Sequence, residues 1–263
     1  MTPLVSIITI TYNAEKVLQK TIENILEQSC KNFEYIIVDG NSKDSTTNII
    51  QRFPNHKFNS LEEAANRTEH PEGIIWISES DKGLYDAMNK GIQMAKGEFV
   101  WFINAGDKIY DKDTMQRISD AFTQNSTAEI IYGQSLIIDE NDKPLGERHK
   151  IAPKVLTIKS MLNGLVVCHQ SILVKTSIVD LYDTQYRIAA DYDWVCKAVE
   201  KSKFNCYIDQ YISRFMVAGI STQQRKKAWG ERFRIMKKHF GLCTTLWAHF
   251  IIAIKYPFSI KNG

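Results

Sequence analysis

Four runs of β-branched and aromatic residues constrain this chain more than any other feature. Residues 4–10 (LVSIITI), 33–38 (FEYIIV), 74–78 (IIWIS) and 98–103 (EFVWFI) are apolar at nearly every position. They lack the every-second-residue alternation of a strand with one wet face, so they read as strands buried on both sides, as in a mostly parallel sheet covered by helices. Between them the period changes to 3.6. Val17, Leu18, Thr21, Ile22, Ile25 and Leu26 form one helical stripe, and Leu84, Met88, Ile92 and Ala95 form another, with a C-cap expected at Gly97. SKDSTTNIIQRF, after the second run, opens a helix with Ser and Asp as N-cap candidates. Pro54 to Gly73 is polar and non-periodic and reads as a long surface insertion. The strand–helix–strand rhythm through residue 103 predicts a doubly wound α/β half.

The remaining composition excludes several classes. With 263 residues, 44% of them hydrophobic, the chain can bury the core of one domain of catalytic size plus an appendage. Thirty-three basic against 30 acidic side chains give +3, too weak a field to imply nucleic acid. The positive charge is concentrated instead: from Arg225 to Lys238 there are seven basic residues and one acid, Glu231. Five widely separated cysteines without a C-x-x-C pair argue against a disulfide framework or zinc site and favour a reducing compartment. MTPLVSIITITYN has no basic n-region or cleavage site, and no apolar segment reaches bilayer-spanning length. The cytoplasm is the expected address.

Ligands of open α/β sheets sit in the crevice outside the carboxyl ends of the strands. Thr11, Tyr12 and Asn13 follow the first strand, Asp39 and Gly40 the second, Glu79 and Asp81 the third, Asn104 and Asp107 the fourth. Any one group could be turn chemistry; four at one sheet edge point to a site. No G-x-G-x-x-G follows the first strand and no G-x-x-x-x-G-K-[ST] occurs, so a dinucleotide dehydrogenase or P-loop NTPase lacks its phosphate cradle. A divalent cation, Mg²⁺ or Mn²⁺, is another way to neutralise a diphosphate, and it asks for hard oxygen ligands such as an Asp closing a rigid strand.

VSIITITYN, IIVDGNSKDST, ESDKGLYDAMNKGIQMAKGEFVWFINAGD, CHQS and AADYDW together resemble the inverting glycosyltransferases of family 2, over about residues 1–220. The resemblance implies the GT-A fold, with a Rossmann-like nucleotide-binding half at 1–110, an acceptor-binding half at 111–220 and a mixed, mostly parallel sheet. It also implies a UDP-sugar donor. Asp39 would accept the uracil N3–H, Tyr12 would pack on the base beside Thr11 and Asn13, and Asp81 would lie along the donor cleft. The family's metal motif usually holds two or three carboxylates, whereas NAGD keeps the last. Asp107 is therefore the implied metal ligand, and Asn104, at the place of a missing acid, joins the nucleotide-binding residues.

In the second half, RIAADYDW leads into an amphipathic helix. An Asp there is ordinarily a capping or dipole-compatible residue. The family pattern instead implies that Asp191 is the general base, with Asp193 the less favoured neighbour. His169 of CHQS is implied to lie near the acceptor and diphosphate and stands with Asp191 as a catalytic candidate. Trp76 and Trp101 read as core. Residues 221–263 join a basic helix to an aromatic-rich stretch, either packed on the domain or lying on an anionic membrane surface, which would suit a glycan or polyprenyl-diphosphate-linked acceptor. Two competitors are a hydrolase using Asp107 and Asp191, which has no need of Asp39 and Tyr12, and a non-catalytic nucleotide-sugar-binding module.

Overall fold

The computed structural model describes residues 2–217 and 225–259. Of the C-terminal extension expected from residue 221, residues 221–224 and 260–263 lie outside the described residues. The elements follow in the order β1 (Val5–Thr11), α1 (Leu18–Leu26), β2 (Phe33–Asp39), α2 (Thr46–Ile50), β3 (Asn55–Lys57), α3 (Leu61–Ala65), β4 (Ile74–Ser78), α4 (Leu84–Met94) and β5 (Phe99–Phe102). The second half continues with β6 (Lys108–Ile109), α5 (Thr114–Gln124), β7 (Ile130–Ile138), β8 (Pro144–Glu147), two 3₁₀ turns (Ile158–Asn163 and His169–Ser171), β9 (Ile172–Lys175), α6 (Ala190–Lys201), β10 (Asn205–Met216), α7 (Arg225–Phe240) and α8 (Leu242–Ser259).

One sheet runs β3-β4-β2-β1-β5-β9-β7-β10-β6, with β8 paired to β7. β1 is parallel to β2 and β5, and β2 to β4; β9 runs against both β5 and β7, while β10 is parallel to β7. Strands β1, β2, β4, β5, β7 and β10 therefore all deliver their carboxyl ends to the same edge. The continuous apolar runs arise because both faces are covered. Ile8, Ile36, Ile75 and Phe102 face one cluster with Met88 of α4 and Trp194 of α6. Their neighbours Ile7, Ile37, Trp76 and Trp101 face the other, with Ile22 of α1 and Ile118 of α5. Burying each such side chain contributes about 1.5–3 kcal/mol. A one-residue slip in β1 would exchange the two faces, so the register Thr11↔Asp39 that aligns the strand ends is strongly fixed.

Two expectations are corrected. Pro54–Gly73 is no structureless insertion: it contains β3, which extends the sheet beside β4, and α3, whose N-cap Ser60 Oγ accepts from Glu63 N. Helix α4 stops at Met94 and its cap is Ala95, not Gly97. Gly97 packs against β1, where a Cβ would lie 2.6 Å from Ser6 N. Helix α2 is also short; its N-cap is Ser45, whose side chain makes no cap hydrogen bond, while Asp44, one residue earlier, accepts Thr46 N through Oδ1 (3.0 Å).

Candidate active site

At the carboxyl ends of β1, β2 and β4, backbone and side chains pack closely around Gly40. Gly40 follows Asp39 and donates its N–H to Thr11 O (2.9 Å). A Cβ there would lie 2.5 Å from Asp81 Oδ2 and 3.3 Å from Tyr12 Cδ2, so glycine lets both side chains close over the end of β2. Tyr12 is 62% exposed, an aromatic ring presented to solvent beside Gly40. Asp39 is fully buried: Oδ2 accepts Ser42 N (3.1 Å) and Ser78 Oγ (2.6 Å), and Oδ1 accepts Ser42 Oγ. Asn13 adopts φ 48° and ties two loops together, donating its N–H to Ser42 Oγ (2.8 Å) and accepting Lys43 N (2.8 Å). Asp81 Oδ1 accepts Gly83 N (2.8 Å), and Lys90 of α4 braces the same loop through Glu79 (2.8 Å) and Ser80 O (2.8 Å).

Beyond β5 the apolar run ends in a turn, with Asp107 N donating to Asn104 O (2.9 Å) and Gly106 at φ 98°. The turn is clamped by Thr21 of α1, whose Oγ1 accepts Gly106 N (2.9 Å) and donates to Asp107 O (3.0 Å). A turn carboxylate would ordinarily face water, but Asp107 is only 5% exposed. Its Oδ1 accepts Met216 N (3.0 Å) at the end of β10, and its Oδ2 accepts Gln170 Nε2 (2.8 Å). Burial pushes its pKa up to about 7 against the pull of these hydrogen bonds. Asn104 Oδ1 is buried nearby in the chain without a partner. Among the described residues no three His, Cys, Asp or Glu side chains converge as a metal cage. The oxygens present are hard donors that fit Mg²⁺ or Mn²⁺ only as part of a shell completed by ligand oxygens.

Gln170 reaches Asp107 because β9 runs antiparallel to β5, which brings the start of β9 to β5's carboxyl end; Trp101 Nε1 donates to Gln170 O (2.8 Å). Of the CHQ triplet, then, glutamine touches the NAGD turn. His169 packs among Phe102, Tyr182 and Trp194, with ring centroids 5.2, 5.8 and 5.6 Å away, and its Nε2 is bonded to the Tyr182 hydroxyl. Burial lowers its pKa to about 4, so the ring is neutral at ordinary pH.

Asp191 lies in the first turn of α6 with Oδ1 accepting its neighbour's N–H, Tyr192 N (2.8 Å), and is not the cap. Part of its surface is exposed, yet its surroundings are poor in water: burial raises its pKa to about 6, opposed by the Tyr192 N–H and the charge of Arg148. Asp193, by contrast, is fully buried and paired with Lys197 (2.8 Å), Lys238 (2.8 Å) and His239 (2.9 Å). Burial alone would raise its pKa, but His239 and the two lysines hold it well below the ordinary range. The two acids thus differ: Asp193 docks α7, and Asp191 is free to change protonation near neutrality.

The Asp191 segment adjoins the loop between β4 and α4. Arg187 Nη1 donates to Lys82 O (2.7 Å), and Tyr85 of α4 donates to Ile188 O (2.8 Å). Sequence reasoning missed the residue that fixes this segment. Glu231 of α7, 1% exposed, accepts Arg187 N (2.9 Å), Ile188 N (2.9 Å) and Ala189 N (3.0 Å). Its one sequence signal was being the only acid in a basic stretch.

Comparison with known families matches residues 6–180 to Glycosyl transferase family 2. The chain belongs to that family. As a family 2 glycosyltransferase it is 29% identical over 195 residues to a PGL/p-HBAD biosynthesis glycosyltransferase of Mycobacterium bovis, covering 73% of this chain and 68% of the relative. It is 30% identical over 165 residues to TuaG of Bacillus subtilis, a glycosyltransferase assigned to teichuronic acid biosynthesis, covering 63% of this chain and 59% of TuaG. In fold it is similar to TarS 1-349 of S. aureus, solved in complex with UDP, with a TM-score of 0.65 at 17% identity over 89% of this chain. It spans 64% of that TarS chain, so both TuaG and TarS extend well beyond the shared part. The mixed, mostly parallel sheet is that of the GT-A fold the sequence led one to expect.

Proposed function

We propose that this glycosyltransferase moves a sugar from a UDP-sugar to a glycan or lipid-linked saccharide acceptor in cell-surface polysaccharide biosynthesis, inverting the anomeric configuration. The observation that carries this reading is the gathering of Tyr12 and Asp81 over Gly40, with the buried Asp39 at the end of β2 and the Asn104–Asp107 turn on the same sheet edge. Tyr12 offers its ring to the base, and Asp39, covered in this structure, would accept the uracil N3–H once the side chains over it move aside. Thr11, whose buried Oγ1 has no partner, and Asn13 shape the rim, and Asp81 lines the sugar side. The UDP bound to TarS and the names of TuaG and the mycobacterial relative support the donor and pathway class.

Asp107 and Asn104 would hold a Mn²⁺ or Mg²⁺, which when bound neutralises charge gathering on the leaving diphosphate. Asp191 takes the proton of the acceptor hydroxyl as its oxygen bonds to the anomeric carbon and the bond to the diphosphate oxygen breaks. His169 contributes indirectly, holding the Tyr182 hydroxyl, which the Asp191 charge reaches. The transferase unit is 1–220, with the donor side in 1–110 and the acceptor side in 111–220; 221–263 is the extension. Among the described residues no helix is long and apolar enough to cross a membrane. Leu246, Trp247 and Phe250 of α8 are each more than half exposed, and Lys227, Arg234 and Lys237 of α7 face solvent, a combination suited to peripheral contact with the inner face of an anionic membrane. The test is turnover: UDP-sugars screened with and without Mn²⁺ should include one that stabilises the protein and is consumed on addition of an acceptor. A protein that retained UDP without transfer or hydrolysis would instead be a binding module, the reading that the acid missing at Asn104 favours.

A further inference from the structure

Lys150, in the segment after β8, and Arg232, on α7, converge on one point from distant parts of the chain. A Cβ at Gly164 would lie 2.5 Å from Lys150 Nζ and 2.7 Å from both Cζ and Nη2 of Arg232. Arg148 joins them, its guanidinium donating to Leu165 O (3.4 Å). None of the three is in an ion pair with an acid among the described residues, and the residues outside the described ones include no Asp or Glu. Of the nearby acids, Asp191 is close enough for the Arg148 charge to act on it, and three others are engaged elsewhere. Glu231 uses both oxygens on backbone N–H groups, Glu147 is bonded to Tyr211, and Asp209 pairs with Lys154 (3.4 Å).

The cations are also partly removed from water. Arg148, Lys150 and Arg232 are half-buried, and Arg232 Nε is buried without a partner. Burial, then the charges of Arg232 and Arg148, lower the Lys150 pKa to about 8. Like charges gathered in a desolvated place are unfavourable unless an anion completes them. The cluster adjoins α6, since Tyr192 donates to Met161 O (2.6 Å) just before Gly164, and the Arg148 charge is felt at Asp191. Arg148 and Lys150 also line a cleft of about 340 Å³ with Ser135, Gln134, Tyr207 and Tyr211, ample room for a sugar.

We propose that Arg148, Lys150 and Arg232 bind a phosphate or diphosphate group of the acceptor, seating the adjoining sugar in the cleft that Arg148 and Lys150 line. This deepens the transferase reading and rests on Asp191 as its base. The donor diphosphate is the other source of the same chemistry. The acceptor is favoured because Arg148 and Lys150 come from the 111–220 half and Arg232 from the extension packed beside it, whereas Tyr12, Gly40 and Asp81 on the donor side stand at the ends of β1, β2 and β4.

The test uses the full chain and inorganic pyrophosphate, titrated by calorimetry with and without saturating UDP. Pyrophosphate should bind with UDP already present. Lys150→Met and Arg232→Met should each weaken that binding at least tenfold, leaving UDP affinity unchanged and thermal stability equal or higher, because repulsion is relieved. Arg148→Gln supplies a third variant should either fail to fold. Undiminished pyrophosphate binding in folded variants overturns the anion site, and displacement of pyrophosphate by UDP overturns its assignment to the acceptor. Asp191→Asn should bind pyrophosphate like the native chain, so loss of the base assignment would register in turnover and not in this measurement.

Discussion

Replacing Asp191 by asparagine should make the protein more stable and nearly inactive at once. The ionised carboxylate sits where its pKa has risen from 3.8 to about 6. At about 1.36 kcal/mol per pH unit, the folded protein carries a penalty of up to about 3 kcal/mol once both folded and unfolded forms are ionised, somewhat reduced by solvent reaching its exposed part. The sign follows from the direction of the shift. Below pH 3.8 both states hold the proton and nothing is lost; between 3.8 and 6 the native state holds it more tightly, so stability falls as pH rises; above 6 the penalty is complete. The substitution removes the charge while the new amide oxygen can still accept Tyr192 N. Urea unfolding followed by tryptophan fluorescence should therefore show Asp191→Asn as the more stable protein at pH 8, with the difference shrinking towards pH 4. Turnover at pH 8 should fall roughly 10²- to 10⁴-fold with UDP affinity retained, and native turnover should decline as pH drops through about 6. A capping or dipole role predicts the reverse sign, a loss of about 0.5–2 kcal/mol. Destabilisation at pH 8, or surviving turnover, would refute Asp191 as a buried base.

Tyr12→Ala should weaken UDP binding roughly 3- to 10-fold, from about 0.5–1.5 kcal/mol of aromatic contact, while Tyr12→Phe keeps it; isothermal titration reads both. Asp107→Ala should abolish the manganese-dependent part of UDP affinity, and an undiminished manganese response would remove Asp107 from the cation. Glu231→Gln leaves buried N–H groups of residues 187–189 poorly matched, at about 1–3 kcal/mol. Its melting temperature should drop by several degrees and kcat should fall with UDP affinity unchanged, whereas equal kcat in folded protein would show that α7 does not position the base.

What was legible in the sequence depended on whether a residue's partners leave a local mark. β1, β2, β4 and β5 were readable because burial on both faces demands unbroken apolar runs, and their polar ends were readable because each follows its run directly. Trp76 and Trp101 are core as expected, at 1% and 0% exposure. β3 was hidden by its three polar residues, Asn55, His56 and Lys57, the last two of which face water on an edge strand. Gly97 mimicked a helix cap because close packing against Ser6 and a left-handed turn demand the same residue. In CHQS, local pattern could not say which side chain turns towards Asp107: the antiparallel β9 brings the segment there, and packing of His169 among Phe102, Tyr182 and Trp194 leaves Gln170 to reach it. Glu231 acts on backbone N–H groups more than forty positions upstream, and Arg148, Lys150 and Arg232 meet only after the second half has folded. Such long-range polar contacts carry no periodicity.

A crystal structure of the full chain with UDP and Mn²⁺ is the most direct measurement of where the donor lies. The expected result is a uracil ring against Tyr12 with its N3 within hydrogen-bond distance of Asp39, and the diphosphate leading towards the Asn104–Asp107 turn. Nucleotide bound elsewhere, with the ends of β1 and β2 empty, would contradict it.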